Sequence, residues 1–224
     1  MASKKKTAQS RKRSRPVEPK KVSFNTNYLI IIVAAIVIIC IGIYFITANP
    51  GGKNNENNNP QETGNPIAII DTSLGTIKVE LYEEKTPKTC ENFIKLAKEG
   101  FYDGMIFHRI LDDFMIQAGN TYPDGSIATS PYGNIDFESY EGLLHEDGSI
   151  SMASTGWEVG GSAQFFICDG AQSGLDGGYA VFGKTIEGIE VVRDIADNPQ
   201  DGSSSAGGGK PIEDILINSI TIEE

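Results

Sequence analysis

From residue 67 to the end of the chain the apolar residues come in short bursts, and that rhythm limits what this stretch can fold into. The bursts at 106–110, 114–118, 150–153, 163–168, 179–182 and 215–222 are separated by Gly, Pro, Asn or Asp, which suits buried strands and is too brief for ordinary helices. The stretch opens with Ile67-Ala68-Ile69-Ile70-Asp71, turns through Ser73-Leu74-Gly75, and continues with Ile77, Val79 and Leu81 alternating with Lys78 and Glu80. A period of two predicts a hairpin with one buried face. Only two segments carry helical spacing. Thr86 before Pro87 supplies an N-cap and first-turn pair, after which Cys90, Phe93, Ile94 and Ala97 recur on one side until Gly100. A shorter helix is predicted over 188–196, with Ile189, Val192, Ile195 and Ala196 together. Many short strands and two helices point to an all-β sandwich or barrel rather than a βαβ layout. Residues 67–224 suffice for one domain with a sizeable core, and the Ser- and Gly-rich stretch 198–209 reads as a surface loop.

Ahead of this domain, residues 28–46 form an apolar run from Tyr28 to Ile46 without a single charge. As a helix rising ~1.5 Å per residue it spans roughly the 30 Å of a bilayer core, with Tyr28 and Tyr44 near the two interfaces. It exceeds the apolar region of a secretory signal, about 7–15 residues, and no well-formed cleavage site follows. Charge divides sharply around it. Residues 1–27 hold nine of the chain's 19 Lys and Arg and one of its 30 Asp and Glu, so that everything from Ala48 onward carries a formal charge of −19. By the positive-inside bias, residues 1–27 are expected as a cytoplasmic tail, 28–47 as a transmembrane helix in contact with lipid, 48–66 as a flexible Asn-, Gly- and Pro-rich linker, and 67–224 as a domain outside the cytoplasm. So acidic a domain lacks the basic face that nucleic acid requires. Cys40 falls in the apolar run; Cys90 and Cys168 fall on apolar faces, where two buried free thiols are expected rather than a disulfide framework.

The chemistry the domain offers is narrow. It has two histidines, His108 and His145, no cysteine pair at metal spacing, no phosphate-cradling glycine pattern and no G-x-S-x-G. Neither a metal nor a cofactor is expected. What remains is polar side chains set inside apolar runs: Arg109 between Phe107 and Ile110, Gln117 between Ile116 and Ala118, and Gln164 beside Phe165.

Leu81 to Phe93 (Leu-Tyr-Glu-Glu-Lys-Thr-Pro-Lys-Thr-Cys-Glu-Asn-Phe), Tyr102-Asp103-Gly104, Phe107-His108-Arg109-Ile110, Ser151-Met152-Ala153, Ala163-Gln164-Phe165-Phe166-Ile167 and Val181-Phe182-Gly183-Lys184 follow one another in an order and spacing that resemble the cyclophilins, the peptidyl-prolyl cis-trans isomerases. The resemblance covers residues 67–224. It implies an eight-stranded antiparallel closed barrel capped by two helices, acting as a monomer on unfolded or proline-containing polypeptides. Position by position, it implies that Arg109 is the catalytic arginine, that Phe114, Met115, Phe166 and Leu175 wall a proline pocket, and that Gln117 braces the arginine. Ala153, Ser154 and Gln164 are then expected to meet the residues before proline, with Tyr179 further along the rim. An alternative is a binding module or holdase that grips proline segments at the membrane surface without turnover, although such a binder has no need of the arginine.

Three positions depart from the family pattern. Gly174 stands where many members carry Trp, which implies weak cyclosporin binding but leaves isomerisation intact. Tyr179 replaces a common His, and residues 120–126 replace a glycine-rich loop. Trp157, in the loop before Gly160-Gly161, is expected to be a partly buried loop aromatic rather than a substrate contact.

Overall fold

The computed structural model describes residues 64–224. The tail, the apolar run and nearly all of the linker fall outside the described residues, and with them the expectation of a transmembrane helix. Among the described residues no helix is long and apolar enough to cross a membrane.

Eight strands and two helices follow in the order β1 (Ile67–Thr72), β2 (Gly75–Leu81), α1 (Pro87–Lys98), β3 (Arg109–Leu111), β4 (Met115–Ala118), β5 (Ser149–Met152), β6 (Phe165–Cys168), β7 (Ala180–Glu187), α2 (Ile189–Ala196) and β8 (Ile217–Glu223). The opening hairpin has the predicted phase. Ala68 and Ile70 of β1 and Ile77, Val79 and Leu81 of β2 are fully buried. Thr72 pairs with Gly75 across the turn, where the Thr72 hydroxyl donates to the Gly75 carbonyl at 2.6 Å.

The strands form one antiparallel sheet in the order β3-β4-β6-β5-β7-β2-β1-β8, and this corrects the expectation of a closed barrel. The sheet curls into a half-barrel whose end strands, β3 and β8, share no ladder. A seam nevertheless forms just before β3, where Ile106 bridges Leu216 and the amides of Phe107 and Ile217 donate to Ile215 and Met105 at 3.0 and 2.7 Å. The chain then turns outward, so the open edge of β3 meets a loop instead: Ile110 bridges Gly209. β3 is only three residues long, and the loop at Gly209 occupies the edge on which a ladder to β8 would form.

Phe93, Tyr102, Phe165 and Phe182 fill the interior, with Phe93 within 5.4 Å of the other three ring centroids. α1 brings Cys90, Phe93, Leu96 and Ala97 onto this core, and α2 adds Val192, Ile195 and Ala196. Cys90 and Cys168 are free and buried, and burial pushes both thiols up to about 12. They are small hydrophobes rather than nucleophiles.

α1 starts where the Thr86-Pro87 pair puts it, but Thr86 does not cap it through its side chain. The Glu138 carboxylate does so from a distant loop, accepting from the backbone amides of Lys88 and Thr89 at 3.2 and 2.7 Å and from the Thr89 hydroxyl at 2.7 Å. A carboxylate suits this place, since it meets both the free N–H groups and the positive end of the helix dipole.

Candidate functional site

Successive residues of a strand point to opposite faces, and three neighbouring strands use this to build a core and a pocket at once. On β4, Ile116 and Ala118 enter the main core while Met115 and Gln117 face outward; on β6, Phe165 and Ile167 go inward and Phe166 and Cys168 outward. Ile110 of β3 is buried in the core, leaving Arg109 and Leu111 on the outer face. Register then aligns the outward set. Arg109 lies opposite Gln117, Gln117 opposite Phe166, and Phe166 opposite Ser151, one row across four strands. Met115, Phe166 and Cys168 form a small apolar cluster of their own, against which Leu111, Phe114, Ala153, Leu175 and Tyr179 pack.

The hollow beside this row is lined by Arg109, Phe114, Met115, Gln117, Ala153, Ser154, Phe166, Leu175 and Tyr179 and holds about 110 Å³. That is far below the roughly 300–1,000 Å³ of pockets that enclose a whole small molecule, and it fits a single ring of a longer ligand. A depression of about 830 Å³ along α1 is larger, but it offers mostly charged walls, among them Glu83, Glu91, Lys95, Lys98 and Glu224, and no apolar cup. Nine of the ten residues expected at the site thus line one hollow. The tenth, Gln164, stands behind it and accepts from the Gln117 side-chain amide at 3.0 Å.

Arg109 is held on three sides. Its Nη1 donates to Gln117 Oε1 at 3.3 Å, its Nε to the carbonyl of Gly207 at 3.0 Å and its Nη2 to that of Ala206 at 3.0 Å. The guanidinium also lies 5.6 Å from the centroid of the Phe114 ring. Partial loss of solvent lowers its pKa below the usual guanidinium value, and a further Nη1 contact runs to Met115 Sδ at 4.0 Å, so the guanidinium is fixed at the edge of the hollow it helps to line. The loop reading of 198–209 missed this clamp. Its only sequence signal is Gly207-Gly208-Gly209: Gly208 has a φ of +73° and packs so tightly on β3 that a Cβ would lie 2.2 Å from the Ile110 carbonyl oxygen. A bulkier residue there would push the loop, and with it both carbonyls, off the arginine.

His145 and Asp176 are a second pair that the sequence did not bring together. The imidazole is buried, lies parallel to Phe166 with centroids 5.8 Å apart, and meets Asp176 Oδ1 through Nδ1 at 3.0 Å. Asp176 Oδ1 also accepts from the His145 backbone amide at 2.8 Å, which ties the rim after Leu175 to the back of the pocket wall. Burial lowers the His145 pKa against the opposing effect of Asp176.

Chemically the hollow is spare. No carboxylate lines it, and the Ser154 hydroxyl donates to the Gly156 carbonyl at 2.6 Å with no base beside it. An apolar cup with one fixed cation at its edge can bind a ring and stabilise electron density that develops next to that ring.

The family model for cyclophilin type peptidyl-prolyl cis-trans isomerase/CLD matches residues 67–222. Among curated relatives, peptidyl-prolyl cis-trans isomerase ppi1 of Schizosaccharomyces pombe is 43% identical over 150 residues, covering 66% of this chain and 93% of that protein. The human peptidyl-prolyl cis-trans isomerase-like 3 is 39% identical over 155 residues, 68% and 93% of the two chains. A solved cyclophilin type isomerase from Cryptosporidium parvum superposes with a TM-score of 0.64 at 36% identity, covering 70% of this chain and 97% of that one. The same protein, solved in the presence of the dipeptide Ala-Pro, gives 0.63 at 35%, covering 70% and 99%.

Proposed function

The chain belongs to the cyclophilin-type peptidyl-prolyl cis-trans isomerases, and from that premise we propose that the hollow walled by Phe114, Met115, Phe166 and Leu175 grips the proline ring while Arg109 drives rotation about the preceding peptide bond. Amide resonance holds that bond planar with a barrier of ~18–20 kcal/mol, and uncatalysed exchange takes roughly 10–100 s. As the bond twists, resonance is lost and the proline nitrogen gains a lone pair. A guanidinium N–H pointing at that nitrogen gains strength with the twist, so it stabilises the transition state more than either planar ground state. The apolar cup keeps competing water away from the ring. Gln117 fixes the guanidinium and presents its own amide to the substrate backbone, while Gln164 fixes Gln117. Ala153 and Ser154 meet the residues before proline, and Tyr179 closes the rim.

The observation that carries this reading is the row Arg109–Gln117–Phe166, which sets a cation held by two backbone carbonyls beside a cup sized for one ring. Arg109→Ala is expected to lower kcat/KM for a prolyl peptide at least about tenfold, equivalent to about 1.4 kcal/mol, with circular dichroism unchanged. Equal rates in the two proteins would remove Arg109 from the mechanism.

We further propose a setting for this activity from the sequence before the domain. The uncharged run at 28–47 spans the membrane once, the basic tail stays in the cytoplasm, and the isomerase domain acts outside it on newly exported or membrane-proximal polypeptides. What supports this is the step from nine basic residues before Tyr28 to Lys53 alone among the linker's Lys and Arg.

A further inference from the structure

Trp157, expected to be a partly buried loop aromatic, is 55% exposed, the largest side chain among the exposed hydrophobics of the described residues. It is nonetheless firmly placed. The loop between β5 and β6 is pinned to the rim by the Glu158 amide, which donates to the Gly178 carbonyl at 3.0 Å. The indole lies directly on the Gly178 backbone, where a Cβ would meet Cε3, Cδ2 and Cζ3 at 2.3–2.5 Å. Only glycine gives the ring this seat. The indole also meets Tyr179 edge to face at 6.4 Å, and Tyr179 meets Phe166, a wall of the hollow, in the same manner at 5.7 Å. A run of aromatic edges therefore leads from the ring cup to an indole that still exposes much of its surface, with the exposed Val159 close by in the loop. Beside Leu175 of the hollow the surface is bare, since a Cβ at Gly174 would touch nothing within 4 Å.

We infer that Trp157 is a specificity residue: it contacts the substrate side chain next to the proline and gives the enzyme a preference for large apolar residues at that place. This rests on the reading of the hollow as the proline site. Tyr179 lines the hollow and Trp157 abuts it, so the indole is the next aromatic outward from the ring site, and a fixed indole there offers contact area at little cost in conformational freedom. The indole and Val159 offer apolar surface that an aromatic or aliphatic neighbour covers, while the exposed Glu158 between them is the competing attraction that a lysine would meet.

Trp157 is the chain's single tryptophan, so indole emission comes from this side chain, and an Ala-flanked peptide separates filling of the hollow from contact with the indole. The full chain in detergent micelles should be titrated with Trp-free prolyl peptides whose flanking residues are Phe, Leu, Ala or Lys. A saturable emission shift is expected with Phe or Leu and little with Ala or Lys. In parallel, Trp157→Ala should reduce the ratio of kcat/KM for Phe-flanked over Ala-flanked peptides about fivefold, mainly through KM, and Trp157→Phe should restore part of it. An emission that ignores every peptide, a preference for Lys, or an unchanged ratio in Trp157→Ala overturns the inference, provided the rate still depends on Arg109. Loss of that dependence instead would overturn the reading of the hollow, so the two failures are distinct.

Discussion

His108 sits one residue before the arginine, and its imidazole has lost most of its solvent while Nδ1 finds no partner. Burial first and the neighbouring Arg109 charge second lower its pKa from an ordinary 6.5 to about 4, against a hydrogen bond with Gln164. The folded protein therefore keeps this ring neutral through a range in which the unfolded chain takes up a proton. Its contribution to stability is complete above pH 6.5 and is lost as the pH falls toward 4, by up to about 1.4 kcal/mol per pH unit. His145, lowered in the same direction, adds to the slope. Urea unfolding at pH 7 and pH 5 should show His108→Gln losing less stability than the parent between the two values; identical losses would clear His108 as the source. Single residues such as Arg109 and Gln117 stood out only through the motifs around them, because a lone arginine on a strand is ordinarily a solvated, outward-facing residue. The carbonyls of Ala206 and Gly207 did not, since every residue has one and only the folded loop selects these two. Asp176 escaped for a similar reason: its partner His145 lies 31 positions away.

At the level of elements, the burst at 106–110 gives only the start of β3, with Ile106 in a lone bridge to Leu216, but the two helices and the phase of the opening hairpin were written in local spacing and formed as read. What holds α1 at its start was not, because Glu138 lies about fifty positions from the amides it caps. Removing it leaves two amides without their acceptor at the positive end of the helix. Glu138→Ala is expected to cost about 1–2 kcal/mol, a fall in Tm of roughly 2–8 °C for a domain of this size, while Thr86→Val should cost less. Thermal unfolding followed by circular dichroism checks both, and a Thr86 effect larger than that of Glu138 would reverse the assignment. The seam between β3 and β8 was equally out of reach. Sequence spacing gives strands their faces, but whether the first and last strands of a curled sheet meet depends on strand length and on a loop that intervenes.

For the whole molecule, the division of charge matters more than the total. The formal net charge of −11 hides a basic tail and a strongly acidic remainder on either side of the uncharged run. Protease added to intact cells or spheroplasts is expected to cut within residues 54–64 and release the isomerase domain while the basic tail stays protected. Cleavage of the domain only after lysis would place it in the cytoplasm and end the proposed role in export, with the isomerase chemistry untouched. The family and its activity were legible because several short segments kept their order over the whole domain, each weak by itself. One feature of that domain reaches beyond its present chemistry. The cluster of Met115, Phe166 and Cys168 is set apart from the main core, and β4 and β6 serve both only by alternating their faces. Substitution on the outward face can therefore rewrite the rim without disturbing the interior that keeps the protein folded, so a lineage can drift toward new clients while its fold stays fixed.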